Sequence, residues 1–474
     1  MQALQIKKDA PNRKICNQEL TKINQTHVSR RQGTFQALEW FKIRTIGKSK
    51  GAHFFRLRLE PILISTMSTQ ITEQADPVSD LLAMCSRSGL KTWSLQGQTL
   101  IPVVQGGMGI GVSAGSLAGA VARQGGVGTI SAVDLRRLHP DLMALTAHLD
   151  KEPDAKEIIE AANLEALSRE ISKARKLSLG HGKIAVNIMK AVGQYQAYVE
   201  KALECGVDAL VVGAGLPLDL PELAKNYPNA ALIPILSDTR GVQLLVRKWE
   251  KKGRLPDAIV IEHPRLAGGH LGAAKVADLQ DTRFDFDVVL PQVLEFFKAS
   301  GLEGKIPLIA AGGISSRDDI ARLQALGAAA VQLGTAFAVT QECDAALAFK
   351  QVLARAQPED MVEFTSVAGL PARAVRTPWL DKYLRIEPKL QKAAHVKKKC
   401  NMSFDCLTHC GLRDGVATMG QFCIDQQLGH AFDGDVHKGL FFRGAGTLPF
   451  GSQIRSVQEL MQWLCGGIQP ALAT

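Results

Sequence analysis

Aromatic side chains make up only 5% of this 474-residue chain, while glycine is plentiful at 43 residues. That balance suits an α/β enzyme with tight turns better than an all-β binding module. No stretch approaches the roughly 20 uninterrupted apolar residues needed to cross a bilayer, so the reading is a soluble, cytoplasmic protein with no membrane partner. The nine cysteines are mostly placed singly, which argues against a secreted disulfide framework. Cys85, Cys205 and Cys343 sit in apolar contexts and read as small buried core residues. An early G-x-G-x-x-G with an acidic residue about 20 positions later is missing, which argues against an open dinucleotide-binding sheet. No cysteine lies between Gly206 and Glu342, and this discounts barrel chemistry that needs a reactive loop thiol, such as nucleotide dehydrogenation.

Acidic residues are scarce at the N-terminus. Residues 1–66 carry 13 Lys and Arg against 4 Asp and Glu, so +9 of the net +10 lies there. Charge segregated in this way belongs to a tail and gives no ground for a nucleic-acid partner. The tail reads as a basic, disordered extension. A flexible arm and an Arg-rich transit peptide compete with a start at Met67, and the start is favoured.

The remainder is 46% hydrophobic over the whole chain, enough for a sizeable core. Eight short aliphatic runs recur: 101–107, 126–132, 183–189, 209–215, 231–237, 258–264, 306–313 and 330–337. They lack strict alternation, as strands buried on both faces do. Helical patterns lie between them. The expected fold is a (β/α)8 barrel over 67–345, with a charged helical insertion between the second and third strands. Residues 346–474 form an appended, mainly helical C-terminal subdomain packed on the barrel.

Chemistry in such barrels sits at the C-terminal ends of the strands. Gly312 and Gly313 end the seventh strand, and Gly334 and Thr335 end the eighth. Unobstructed backbone N–H groups there propose a phosphate cradle. At the first strand Gly106, Gly107 and Gly109 allow a flat ring to approach, and Met108 offers it a backbone N–H or an apolar contact. Asn187 and Gln332 point polar groups from strands three and eight. His270, flanked by Gly268, Gly269 and Gly272, is the catalytic candidate, because an imidazole titrates near neutrality. His263 reads as a loop histidine bonded to a carbonyl.

The runs "IPVVQGGMG", "AVNIM", "AGGHLG", "IPLIAAGGI" and "GAAAVQLGTAF" resemble, in order and spacing, the nitronate monooxygenase family over about residues 95–345. That family was once called the 2-nitropropane dioxygenases, and it includes FMN-dependent enoyl-ACP reductases and NAD(P)H:quinone reductases. The resemblance implies FMN in a TIM barrel. It places the phosphate on Gly312, Gly313, Gly334 and Thr335, and the ring near Gly107, Met108 and Asn187 with Gln332 nearby. Gly268 and Gly269 join the cofactor set, and His270 is the family's histidine. It also implies a small-molecule substrate: an alkyl nitronate oxidised with O2 to a carbonyl compound and nitrite or, in the reductase alternative, NAD(P)H as electron donor. Homo-oligomer formation stays open.

The segment "EHPRLAGGH" departs from the family, and Arg265 in it adds a cation that would favour an anionic substrate or a nicotinamide dinucleotide phosphate. Cys400, Cys406, Cys410 and Cys423 lack the CxxC spacing of most zinc and iron–sulfur sites, so packing cysteines are preferred and no metal is assigned. "GAGTLPFG" (444–451) lacks a strand–helix context for a second phosphate loop and reads as structural. The glycine-rich loop 430–452 that contains it carries exposed-looking Phe441 and Phe442, and two readings stay open for it: folding over the flavin or lying at a subunit contact.

Overall fold

Eight parallel strands close into a barrel in the computed structural model, which describes residues 77–149, 154–394, 400 and 404–468. All of these residues fall within the unit Glu73–Thr474; the basic extension expected over 1–66 lies outside them.

An antiparallel hairpin precedes the barrel, formed by β1 (Trp93–Leu95) and β2 (Gln98–Leu100). Gln96 and Gly97 both take positive φ in its two-residue turn, the conformation that matches strand twist. The barrel strands follow as β3 (Val103–Gln105), β4 (Val127–Ser131), β5 (Lys183–Met189), β6 (Ala209–Gly213), β7 (Ala231–Leu236) and β8 (Ile259–Glu262). After the short β9 (Gly269–His270) come β10 (Leu308–Ala311) and β11 (Ala330–Leu333). Each barrel strand pairs with the next, and β11 returns to β3. All eight expected runs are therefore barrel strands, and the architecture is a TIM barrel.

The absence of strict alternation has a direct cause. In β6, Ala209 and Val211 point into the barrel interior while Leu210 and Val212 join the shell beneath the helices. Both faces of the strand are dry. Trp93, Leu95 and Leu100 of the first hairpin pack with the interior set.

The small-residue helix Gly115–Arg123 follows β3 and is wedged between β4 and the inserted helix Ala155–Ser178. A Cβ at Gly119 would lie 2.6 Å from the Leu177 side chain, and one at Gly128 would strike the backbone of Ala118. These glycines serve close element packing.

The C-terminal segment is more than helices. It adds an antiparallel hairpin, β12 (Met361–Thr365) with β13 (Pro371–Val375), and β13 pairs with β9 so that Ala372 faces His270 in the register. The last helix, Val457–Gly466, packs back on Pro77–Arg87 and Gly115–Arg123.

Candidate active site

A cavity of about 530 Å³ opens at the C-terminal ends of the strands. It brings together His270 with Gly107, Met108, Asn187, Gly268, Gly269, Gly312, Gly313, Gln332, Gly334 and Thr335, the catalytic and cofactor candidates of the sequence. The C-terminal segment roofs it with Leu370, Leu407, Ile424, Leu428, Leu440 and Phe442.

His270 is held from three directions. β13 pairs with its backbone, and its Nε2 lies 3.0 Å from Ser366 Oγ. Its ring meets Phe442 edge-on at 5.5 Å. Burial pushes its pKa down to about 4, so the imidazole is neutral near pH 7. Ser366 is fully buried in the β12–β13 turn, and its Oγ also accepts the Ala368 N–H at 3.2 Å. The buried guanidinium of Arg373 fastens the loop below by donating to the carbonyls of Pro264 and Ala267, with Glu363 as its ion partner.

On the β3 side, glycine has a protein reason. A Cβ at Gly107 would run into Asn187, whose Nδ2 donates to Val211 O at 3.0 Å. The backbone N–H of Met108, expected to be free for a ring, instead donates to Ser113 Oγ at 2.8 Å. Gln332 is different: its Oε1 is buried with no hydrogen-bond partner among the described residues, a state that proteins rarely leave without a ligand or water.

Across the mouth, Gly312 and Gly313 adopt φ of +114° and +72°. Thr335 Oγ1 accepts the Gly444 N–H at 3.0 Å, which leaves its own proton to donate. The helix after β3 offers no such opening. Asp344 accepts the N–H groups of Ala114, Ser116 and Leu117 at 3.1, 3.2 and 3.1 Å, and Glu170 accepts that of Gly115 at 2.7 Å. Its orphan donors are already taken by carboxylates.

Several expectations are revised. His263 is bonded to the Asp285 carboxylate at 3.2 Å, not to a carbonyl. Arg265 also pairs with Asp285, at 2.6 Å, and does not line the cavity, so it offers no free cation there. Phe441 is fully buried and stacks on Phe349, and Phe442 faces the cavity. The segment 444–448 belongs to the cavity wall: a Cβ at Gly446 would lie 3.3 Å from Gly313 Cα.

Cys406 also lines the cavity. Burial raises the thiols of Cys406, Cys410 and Cys423, and no three His, Cys, Asp or Glu side chains among the described residues stand together as a metal site.

Sequence reasoning passed over Ser366, Arg373, Glu262 and Arg443. Only Glu262 carried a local signal, as the acid that ends β8. Burial pushes its pKa up to about 7, and the Gly272 N–H opposes that shift. The other three act across long sequence separations that no spacing pattern reveals.

No helix among the described residues is long and apolar enough to cross a membrane. The chain is similar to a probable nitronate monooxygenase of Staphylococcus saprophyticus, 26% identical over 59% of this chain and 77% of that protein. A probable nitronate monooxygenase of Bacillus subtilis is 24% identical over 60% and 79%. In fold it resembles FabK from Thermotoga maritima, with TM-score 0.53 at 24% identity, covering 77% of this chain and 91% of that one. It likewise resembles a nitroalkane oxidase from Streptomyces ansochromogenes, with TM-score 0.52 at 21% identity over 77% and 94%. The nitronate monooxygenase family model matches residues 94–467, most of the sequence, and the chain therefore belongs to that family of oxidoreductases.

Proposed function

We propose that the chain is an FMN-dependent nitronate monooxygenase that oxidises alkyl nitronates with O2 to carbonyl compounds and nitrite. The observation that carries this reading is the meeting of a neutral His270 with an open glycine cradle in one cavity. The residues fit the cofactor. Gly312, Gly313 and Gly334, with the donor proton of Thr335, suit a phosphate. The orphaned Gln332 Oε1 suits an N–H on a ring edge. Gly107, Asn187 and the Met108 side chain would bound the ring, with Gly268 and Gly269 beside it. When bound, the flavin supplies the electron transfer and O2 chemistry that side chains lack.

The chain's own task is to bind and orient the substrate. Ser366 Oγ already accepts the Ala368 N–H, so its own proton needs an acceptor, and His270 Nε2 is the group at 3.0 Å. In the tautomer in which Ser366 donates to Nε2, the imidazole proton is on Nδ1. His270 then donates to the anionic nitro group of a preformed nitronate, while a base for a neutral nitroalkane would need the other tautomer. The apolar roof excludes water and strengthens that charge-assisted contact.

A second reading, an NAD(P)H-dependent flavin reductase of the enoyl-ACP or quinone type, draws on the same roof, whose leucines and Phe442 suit a larger apolar acceptor. Anaerobic mixing separates the two. Nitronate is expected to bleach the flavin absorbance of the loaded protein; bleaching by NADH or NADPH and not by nitronate favours the reductase. His270→Asn is expected to keep FMN affinity and lose roughly 100-fold in nitronate turnover. Unchanged turnover would remove His270 from this role.

A further inference from the structure

Arg443 enters the cavity wall from the C-terminal segment, and it is a cation without a counter-ion. Its side chain is buried, with the residue 4% exposed. Among the described residues it forms no ion pair. Its Nε donates to Leu353 O at 3.0 Å, and its Nη1 donates to Gly444 O at 2.9 Å and Gly446 O at 3.3 Å, with Met361 Sδ at 3.9 Å. No acceptor among those residues takes Nη2. Asp360 acts on it only from a distance. A buried charge left unpaired is costly, and proteins rarely keep one without a partner.

The placement indicates the partner. Arg443 belongs to the cavity wall beside the glycine cradle, where its backbone approaches Gly268, while its guanidinium lies behind the 444–448 loop on Leu353 O and Met361 Sδ. A Cβ at Gly268 would strike the Arg443 backbone, and the loop that the guanidinium gathers touches Gly313 through Gly446 and Thr335 through Gly444. The base of this loop is fixed: Ala374 bridges to Phe442, and the Val375 N–H donates to Phe441 O at 2.8 Å. The two carbonyls turned toward Nη1 direct the following peptide N–H groups, those of Ala445 and Thr447, away from the guanidinium. Ala445 N–H is taken by Leu266 O at 3.1 Å; Thr447 N–H has no acceptor of that kind. We infer that Arg443, with the 444–448 loop it organises, closes over the cradle and supplies the counter-charge for a phosphate dianion. This rests on the FMN reading above and extends it to a residue outside the barrel.

The test uses two ligands that differ only by the phosphate. Affinities for FMN and riboflavin are measured by fluorescence quenching on the full chain as wild type, R443M and R443Q; the glutamine keeps an amide donor for the loop carbonyls in case R443M does not fold. The neutral variants are expected to lose on the order of 10- to 100-fold for FMN, as for other charge-assisted contacts, with riboflavin affinity unchanged. Equal weakening of both ligands would mean that Arg443 only supports the loop, and undiminished FMN affinity would mean that its charge does not reach the phosphate. Either result overturns the inference while leaving the cofactor reading intact. Wild-type protein that binds neither ligand would sink both.

Discussion

Gly107, Gly119 and Gly128 are packed from the protein side. Asn187 occupies the space beside Gly107, the inserted helix packs on Gly119, and Asp344 with Glu170 takes the N–H groups at the start of the helix. Gly312, Gly313 and Gly334 line a cavity, although a Cβ at Gly313 would also meet Leu266 at 2.8 Å, and Arg443 in the cavity wall has no ion pair among the described residues. Both stretches follow a barrel strand and both read as anion-friendly backbone. What separates them is a pair of acidic side chains, Glu170 and Asp344, the latter more than 200 positions from the helix it caps. A glycine-rich loop therefore announces close approach, and only the surrounding charges decide whether a ligand or the protein does the approaching.

Removing Asp344 is the strongest way to break the comparison. Asp344→Ala leaves three N–H groups without their carboxylate and Lys173 Nζ without its contact at 3.2 Å. Charge-assisted bonds in a buried setting predict a loss of about 3 kcal/mol in denaturant unfolding. FMN affinity of the folded protein should not change. A loss under about 1 kcal/mol would show that solvent replaces the carboxylate, and that the two helix mouths are less different than the hydrogen bonds imply.

A second carboxylate sharpens the contrast. Asp344 accepts three backbone N–H groups, whereas Glu262 at the cavity has one, from Gly272, and burial lifts it to about 7. Its folded-state pKa lies above the ordinary 4.5, so the fold favours the protonated form. Its stabilising contribution is complete below about pH 4.5 and is lost as pH rises through 7. Glu262→Gln should be more stable than wild type by roughly 2 kcal/mol at pH 8 and nearly equal at pH 5, read from urea curves at the two pH values. A pH-independent difference would mean that Glu262 stays ionised in the fold.

The barrel was legible because burial on both faces leaves an unmistakable run of aliphatic residues, and eight such runs have few ways to close. The site residues were legible as positions, since strand ends converge by topology. Their surroundings were not. Met108 offered an N–H that Ser113 consumes, and Arg265 offered a cation that Asp285 neutralises. Phe441 looked exposed because nothing local reveals Phe349 across 92 positions. The decisive partner sits 20 positions away for Arg265 and 92 for Phe441, and for Met108 it is Ser113, five positions on and folded back by the turn after β3. Spacing rules reach one helix turn or one hairpin, and they cannot see a neighbour that only the closed barrel and its C-terminal roof bring near.

The smallest effect is also the most direct comparison of the two glycine sets. Gly119→Ala and Gly313→Ala add the same methyl group to the two regions. At Gly119 it would press on Leu177 and on the backbone of Ala174 at 2.9 Å, and the overpacking should outweigh the gain in helix propensity, for a net loss of roughly 1 kcal/mol. At Gly313 it meets Leu266 Cδ1 at 2.8 Å with φ at +72°, and the left-handed backbone alone costs an L-residue about 1 kcal/mol. The two losses in stability are therefore similar, and ligand binding is what tells the variants apart. Gly119→Ala should hold FMN as wild type does, because its strain is absorbed between two helices away from the cavity. Gly313→Ala should weaken FMN about ten-fold, since strain at a positive φ and the push against Leu266 shift the peptide groups that must face an anion. Equal affinity in the two variants would place the phosphate somewhere other than the β10 and β11 ends, and the open glycines there would then be turn residues like the rest.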